Sequence, residues 1–219
     1  NINVAHYADV DTLLANEKID FAVVATPTST HLEVARKLLQ YGVHLLVEKP
    51  IAKNSAEAKE MVKIAHKNNC KLVVGHIERF NPAIQAVLPR LKNEHVIHYE
   101  ASRMSGYPTR ITDVGVKLDL SIHDVDLMSL LSPSEECYSL ESVNVHDNDD
   151  DAVFIMKFYN GALATIRTSW LFPYRERKIK LLTKDKYYVV DLLNKQATIY
   201  TENDSGGFVA EGLEIGRTD

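Results

Sequence analysis

The 219-residue chain has little cysteine, no excess of positive charge and no long apolar run. Two cysteines, Cys70 and Cys137, make neither a metal-ligand pattern nor a disulfide framework. They are expected as buried thiols in a reducing, cytoplasmic compartment. Lys and Arg number 25 against 30 Asp and Glu, a net charge of −5, so no nucleic-acid surface is expected. No apolar stretch approaches the roughly 20 residues of a membrane span, and no basic segment followed by an apolar one opens the chain. Internal repeats and low-complexity tracts are missing too. The chain opens on Asn1 without a Met, and its close, Gly212 to Asp219, carries no clear element. Both ends read as cut, which predicts a piece of a longer protein. With 45% apolar and 25% charged residues, what remains is the composition of a globular protein.

The organising stretch is Val43-His44-Leu45-Leu46-Val47-Glu48-Lys49-Pro50. It reads as a short buried strand ending in an acid, a base and a proline that cannot donate to a ladder. Helix-period segments flank it. Upstream, Phe21 to Ala25 is a second apolar run and Val4 to Tyr7 a possible third. Asp9 to Leu14 has an acidic helix start, Ser29 or Thr30 is placed to cap the helix before Gly42, and Asn54 or Ser55 the helix after Pro50. Lys71 to Gly75 closes a strand–helix–strand–helix–strand series, the pattern of a parallel sheet with right-handed crossovers. Ligands of such sheets bind beyond the carboxyl ends of the strands, where Lys49 falls. A solvated Glu48–Lys49 ion pair is the alternative.

After Asn81 the character changes. A helix is expected from Pro82 to about Leu91, a strand from His95 to Arg103 and a helix from Val116 to Leu131. Strands are then expected over Glu141–His146, Ala152–Tyr159, Leu163–Trp170, Lys178–Thr183, Tyr187–Leu192 and Gln196–Tyr200. Asn160-Gly161 signals a hairpin with positive φ angles, and Lys184 to Lys186 another turn. Asp147 to Asp151 reads as a solvated acidic turn rather than a cation loop, because an EF-hand glycine and terminal glutamate are missing.

Three stretches combine: Val24-Ala25-Thr26-Pro27-Thr28-Ser29-Thr30-His31, then Glu48-Lys49-Pro50, then Asp119-Leu120-Ser121-Ile122-His123-Asp124. In this order and spacing nearly the whole chain resembles the glucose–fructose oxidoreductase and inositol dehydrogenase family (Gfo/Idh/MocA) of NAD(P)-dependent dehydrogenases. Gly75 to Pro82 and Arg110 to Gly115 resemble most the UDP-N-acetylglucosamine 3-dehydrogenases within it. The resemblance implies an α/β plus α+β protein. A partial Rossmann-type parallel sheet would occupy 1–78, and a domain with a large, mostly antiparallel sheet, for substrate and oligomer contacts, 79–219. The family's opening Gly-x-Gly-x-x-Gly turn, which holds the cofactor pyrophosphate, has no match here.

The same resemblance implies the site. Oxidising a secondary alcohol needs a base, a hydride acceptor and positive charge at the developing alkoxide. Lys49 would supply the charge and touch nicotinamide ribose and substrate, through a Lys-Pro bond that is often cis in the family. His123 would be the base, with Asp119 positioning it or holding the substrate hydroxyl. Asp126 falls on a different face from Asp119, which leaves a structural hydrogen-bond acceptor as one reading of it. Thr26, Pro27, Thr28, His31, Glu48, Lys49, Pro50 and His76 would border NAD or NADP. His31 either faces the cofactor or stands in water, and Glu48 either orients Lys49 or only fixes the loop. Arg79 would meet a substrate phosphate or make an interdomain salt bridge. Arg103, Tyr107, Arg110 and Lys117 lie near the pocket. Trp170 reads as core, and Arg175 to Lys178 as a solvated strand edge. No metal is implied. A nucleotide sugar oxidised at the 3-position is the expected substrate, with a free sugar or cyclitol, or a non-catalytic binding module, as alternatives. A homodimer or homotetramer is expected.

Overall fold

The computed structural model describes residues 4–108, 114–132, 136–144 and 148–213. The chain divides into two compact units, Asn1–His76 and Ile77–Asp219, just ahead of the boundary expected after residue 78.

The first unit carries three parallel strands, β1 (Phe21–Val24), β2 (His44–Val47) and β3 (Leu72–Val74), hydrogen-bonded in that order. Helix α1 (Val10–Asn16) precedes them, and α2 (His31–Gln40) and α3 (Ser55–Lys67) cross between them. The caps are local. Asp9 accepts from the Thr12 N–H at 2.7 Å, and Asn54 accepts from the Glu57 N–H at 3.0 Å. Gly42 ends α2 at φ +83°, where a side chain would be strained. Neither Ser29 nor Thr30 caps α2 with its side chain. The Thr30 hydroxyl is turned back to Thr26 Oγ1 and the Pro27 carbonyl, 2.8 Å from each. Val4 to Tyr7 forms no strand.

Val24, Leu45 and Val47 pack against Leu38, Leu39, Met61 and Ala65 to make the core of this unit. The continuous apolar run of β1 predicts burial on both faces, yet Phe21 and Val23 are 55% and 57% exposed. Among the described residues, the helices of this unit cover one face of the sheet.

The second unit is an eight-stranded sheet in the order β11-β10-β9-β8-β4-β7-β6-β5. Its strands are β4 (Val96–Met104), β5 (Cys137–Asn144), β6 (Asp151–Phe158), β7 (Leu163–Ser169), β8 (Glu176–Thr183), β9 (Lys186–Asp191), β10 (Gln196–Glu202) and β11 (Phe208–Gly212). All neighbours are antiparallel except β4 with β7. Helices α4 (Pro82–Val87) and α5 (Ile122–Leu131) cover one face. Ile84, Val87, Leu127 and Leu131 pack there on Tyr99, Ile166, Ile179, Leu181, Tyr188 and Ile199. These strand residues alternate inward, as half-buried strands require.

Several expectations change here. The helix expected to Leu91 tightens to a 3₁₀ turn over Leu88–Leu91, which contains Pro89. The Asn160-Gly161 hairpin forms, but only Gly161 takes positive φ; Asn160 instead accepts from the Ala162 N–H at 2.9 Å. Strand β11 was not expected, although Gly206-Gly207 before Phe208-Val209-Ala210 announces it. Cys137 is exposed rather than buried, and both cysteines are free. In the acidic turn, Asp147 lies outside the described residues, and Asp150 and Asp151 are buried rather than solvated. Asp151 opens β6 and accepts from the Ser169 hydroxyl at 3.0 Å on the paired strand. No cluster that could hold a metal is found among the described residues. No helix among them is long and apolar enough to cross a membrane.

Candidate active site

In the first unit the nominated residues gather beyond the carboxyl ends of the three parallel strands. The Glu48 N–H continues the ladder to the Val24 carbonyl at 2.9 Å, so the Glu48-Lys49-Pro50 turn leaves β2 directly beside the end of β1. The Lys49–Pro50 peptide bond is cis. The Glu48 carboxylate folds back to accept from the Lys49 N–H at 3.2 Å, and its atoms lie 3.4 Å from where a Gly75 side chain would begin. Glu48 therefore packs on the backbone at the end of β3. Lys49 and His76 are half-buried, Thr26 and Pro27 exposed, and Pro50 and Thr28 buried.

His31 departs from both expectations. Its ring is 1% exposed, so it neither faces a ligand nor stands in water. Instead it lies among backbone carbonyls of the two strand-end turns.

In the second unit Asp119 lies in a π-helical turn, Lys117–Ser121, that runs straight into α5, where His123 lies in the first turn. Single π turns inside α-helices are frequent at functional sites. The Asp119 N–H bonds the Gly115 carbonyl at 2.9 Å, and the Val116 N–H bonds the Asp149 carbonyl at 2.8 Å, which anchors the start of the turn. Asp119 is buried and His123 half-buried.

A cavity of about 590 Å³ has Asp119 and Leu120 on its wall, with Arg103, Arg175, Arg177, Tyr107, Trp170 and Tyr174 around it. Tyr107 and Tyr174 are exposed, while Trp170 is buried and meets the Tyr107 ring edge-on at 5.3 Å. Beneath the cavity is a buried charge cluster that the sequence did not announce. Arg103 and Arg177 are direct cross-strand partners on β4 and β8. Like charges so placed repel. Two acids separate them: Asp124 holds Arg103, and Glu78 Oε1 accepts from Arg103 Nη1 at 3.2 Å and Arg177 Nη1 at 3.0 Å. Burial works against the Arg103 charge, but Asp124 and Glu78 outweigh it and hold its pKa above the ordinary value. Burial and the Arg103 charge together lower that of Arg177. Arg177 is thus part of a partly buried cluster, not a solvated edge.

Arg79 is also engaged. Its guanidinium forks onto Asp126, with Nε–Oδ2 at 2.8 Å and Nη2–Oδ1 at 2.6 Å. That pair lies inside the second unit, so it is not the interdomain salt bridge offered as the alternative for Arg79. Lys117 pairs at long range with Asp149, 3.9 Å away, and is not among the residues lining the cavity. Arg110 lies outside the described residues.

A parallel sheet with crossover helices and a lysine beyond its strand ends is followed in one chain by a large, mostly antiparallel sheet covered by helices on one face. Residues 1–76 match the oxidoreductase family with an NAD-binding Rossmann fold, and residues 95–190 match the GFO/IDH/MocA C-terminal domain. The chain belongs to the Gfo/Idh/MocA oxidoreductase family. It is 35% identical over 202 residues to UDP-N-acetylglucosamine 3-dehydrogenase of Acidithiobacillus ferrooxidans, matching 89% of this chain and 62% of that protein. A solved structure of that enzyme superposes with a TM-score of 0.87 at 32% identity, covering 97% of this chain and 69% of the other. Levoglucosan dehydrogenase in complex with NADH and levoglucosan shares the fold, with a TM-score of 0.86 at 16% identity over 96% of this chain and 65% of the other. So does the WlbA dehydrogenase of Bordetella pertussis in complex with NADH and UDP-GlcNAcA, with a TM-score of 0.76 at 22% identity over 84% and 59%.

Proposed function

We propose that the protein is an NAD(P)-dependent dehydrogenase that oxidises a secondary hydroxyl of a nucleotide sugar, UDP-N-acetylglucosamine at the 3-position being the first candidate. The observation that carries the substrate class is the cavity beside Asp119. It joins an acid able to hold a sugar hydroxyl to exposed Arg175 and two exposed tyrosines, while Arg103 and Arg177 on the same wall are held by Asp124 and Glu78. A free cyclitol needs only hydroxyl partners. A diphosphate needs guanidinium groups, and a nucleobase stacks on an aromatic ring. Arg175, exposed at the mouth, is the residue we assign to the diphosphate.

The donor chemistry at the strand ends of the first unit fits the nicotinamide-ribose part of a dinucleotide: the ammonium of Lys49 and the hydroxyl of exposed Thr26 stand there with the backbone of Pro27. A bound nicotinamide supplies the hydride acceptor. Within the chain, His123 takes the hydroxyl proton, Asp119 orients the imidazole or the substrate hydroxyl, and the Lys49 ammonium steadies the developing alkoxide. Glu48 holds the turn that presents Lys49. The homodimer or homotetramer is part of the same reading. Exposed Leu182 and Phe208, with half-buried Tyr187 and Tyr200, border a cavity on the sheet of the second unit, and apolar groups so placed suit a subunit contact. A purely monomeric species in sedimentation at micromolar concentration contradicts it.

A free-sugar dehydrogenase is the second reading, favoured by 26% identity over 178 residues to myo-inositol 2-dehydrogenase of Thermotoga maritima. NAD(P) reduction by the intact protein separates the two, with UDP-N-acetylglucosamine, N-acetylglucosamine and myo-inositol compared and UDP added as competitor. The proposal expects turnover with the first alone, competitive inhibition by UDP, and loss of that inhibition in Arg175→Ala. Equal turnover with a free sugar, untouched by UDP, overturns it.

A further inference from the structure

We propose that His31 is a positioning residue that holds Lys49 in place by tying together the turns at the ends of β1 and β2. The inference rests on Lys49 being catalytic, and it concerns a residue with no surface of its own. The imidazole Nε2 lies 2.9 Å from the carbonyl oxygen of Thr26, two residues beyond the end of β1. On the other side of the ring, Nδ1 lies 3.0 Å from the carbonyl oxygen of Pro50 and 3.3 Å from that of Ile51, just beyond the end of β2. Carbonyl oxygens only accept, so the ring is the donor wherever one of these contacts is a hydrogen bond. A neutral ring donates to one turn at a time, and a doubly protonated ring to both.

The ring is the first residue of α2, and the turn before it is braced from within by the Thr30 hydroxyl on Thr26 and Pro27. The histidine therefore extends from a rigid base. Lys49 lies between two fixed points. Ahead of it, the Glu48 N–H is bonded to the Val24 carbonyl; behind it, Pro50 is held through its carbonyl by His31. Without the ring, the second point is lost, and the buried Pro50 carbonyl loses the ring nitrogen beside it. The backbone that aims Lys49 is then fixed on one side only. A misplacement on the order of 1 Å far from the reacting atoms can cost a hundredfold in rate.

The test is a double-mutant cycle in the intact protein with the substrate identified by the panel above. His31→Phe keeps a ring and removes both donors. If His31 acts through Lys49, this change lowers kcat about tenfold or more and leaves the KM for the dinucleotide within about twofold. In a Lys49→Met background the same change costs nothing further, because the residue it serves is already gone. A purely structural histidine costs the same factor in both backgrounds, and that result overturns the inference. So does a His31→Phe protein with wild-type kcat. Where the phenyl variant does not fold, His31→Leu, which also removes both donors, carries the same comparison. Full turnover by Lys49→Met alone defeats the functional reading and this inference together; a dead Lys49→Met beside additive His31 effects defeats this inference alone.

Discussion

Arg103 grips Asp124 through two parallel hydrogen bonds, Nε to Oδ2 at 2.8 Å and Nη2 to Oδ1 at 2.9 Å, with the arginine 2% exposed. Buried charges are tolerated only when paired and hydrogen-bonded. Here the pair joins the middle of the sheet to α5 at the residue after His123, and Tyr99 adds a hydrogen bond from its hydroxyl to the Asp124 carbonyl at 3.0 Å. Replacing Arg103 by Met leaves Asp124 buried without the guanidinium that holds it, and Glu78 with Arg177 alone. We expect a loss of about 3–5 kcal/mol, measured by urea unfolding. Arg103→Lys keeps the charge but loses the fork, so it falls between Met and wild type. Wild-type stability in Arg103→Met contradicts this account of the cluster.

A smaller lever acts on the π turn that carries Asp119. A Cβ at Gly115 would stand 1.9 Å from Asp149 Oδ2 and 2.8 Å from its Cβ, so Asp149 must move. Asp149 is the residue whose carbonyl anchors Val116, and it sits at φ +52°. Gly115→Ala is expected to cost about 1–3 kcal/mol by overpacking and to lower kcat. Replacing Asp149 by Gly as well relieves the clash and suits the positive φ, and should restore part of both. An unchanged melting midpoint in Gly115→Ala rules out the close packing.

The turn between β9 and β10 gives a pH test. Asp191 Oδ1 accepts from the N–H groups of Leu193 and Asn194 at 3.0 and 2.9 Å. Burial raises this carboxyl, but those N–H donors outweigh it, so its folded pKa lies below the ordinary value. A lowered folded pKa means stability that is present above the unfolded pKa, about 4 for aspartate, and lost as pH falls through the folded value. Asp191→Ala should therefore cost about 1 kcal/mol at pH 7, with the gap to wild type narrowing as pH drops below about 4. A gap constant from pH 7 to pH 3 contradicts the linkage.

How much of this was legible depends on the range of the signal. Asn54, Gly42 and the apolar run into Lys49 act on neighbours a few positions away, and the parallel sheet and its ligand edge follow from them. Gly161 marked its hairpin although Asn160 did not take the conformation assumed for it. What escaped reading depends on partners distant in sequence. His31 is a first-turn helix residue until the carbonyls of Pro50 and Ile51 are placed beside it. Arg177 looks like a solvated strand edge until β8 pairs with β4 and sets it opposite Arg103, with Glu78 between. Asp151 looks like loop acid until Ser169 faces it. The π turn at Lys117–Ser121 leaves no mark, because its residues keep the apolar spacing of an α-helix.

The role proposed above for Lys49 is to steady the developing alkoxide. Its most direct test is dinucleotide reduction by UDP-N-acetylglucosamine in the wild-type and Lys49→Met proteins side by side, with circular dichroism to confirm the fold. Removing a group that steadies charge only in the transition state costs about 10²–10³ in kcat. That loss, with the spectrum unchanged, is the predicted result. Turnover by Lys49→Met within about twofold of wild type, a difference too small for a lost charge, contradicts the account.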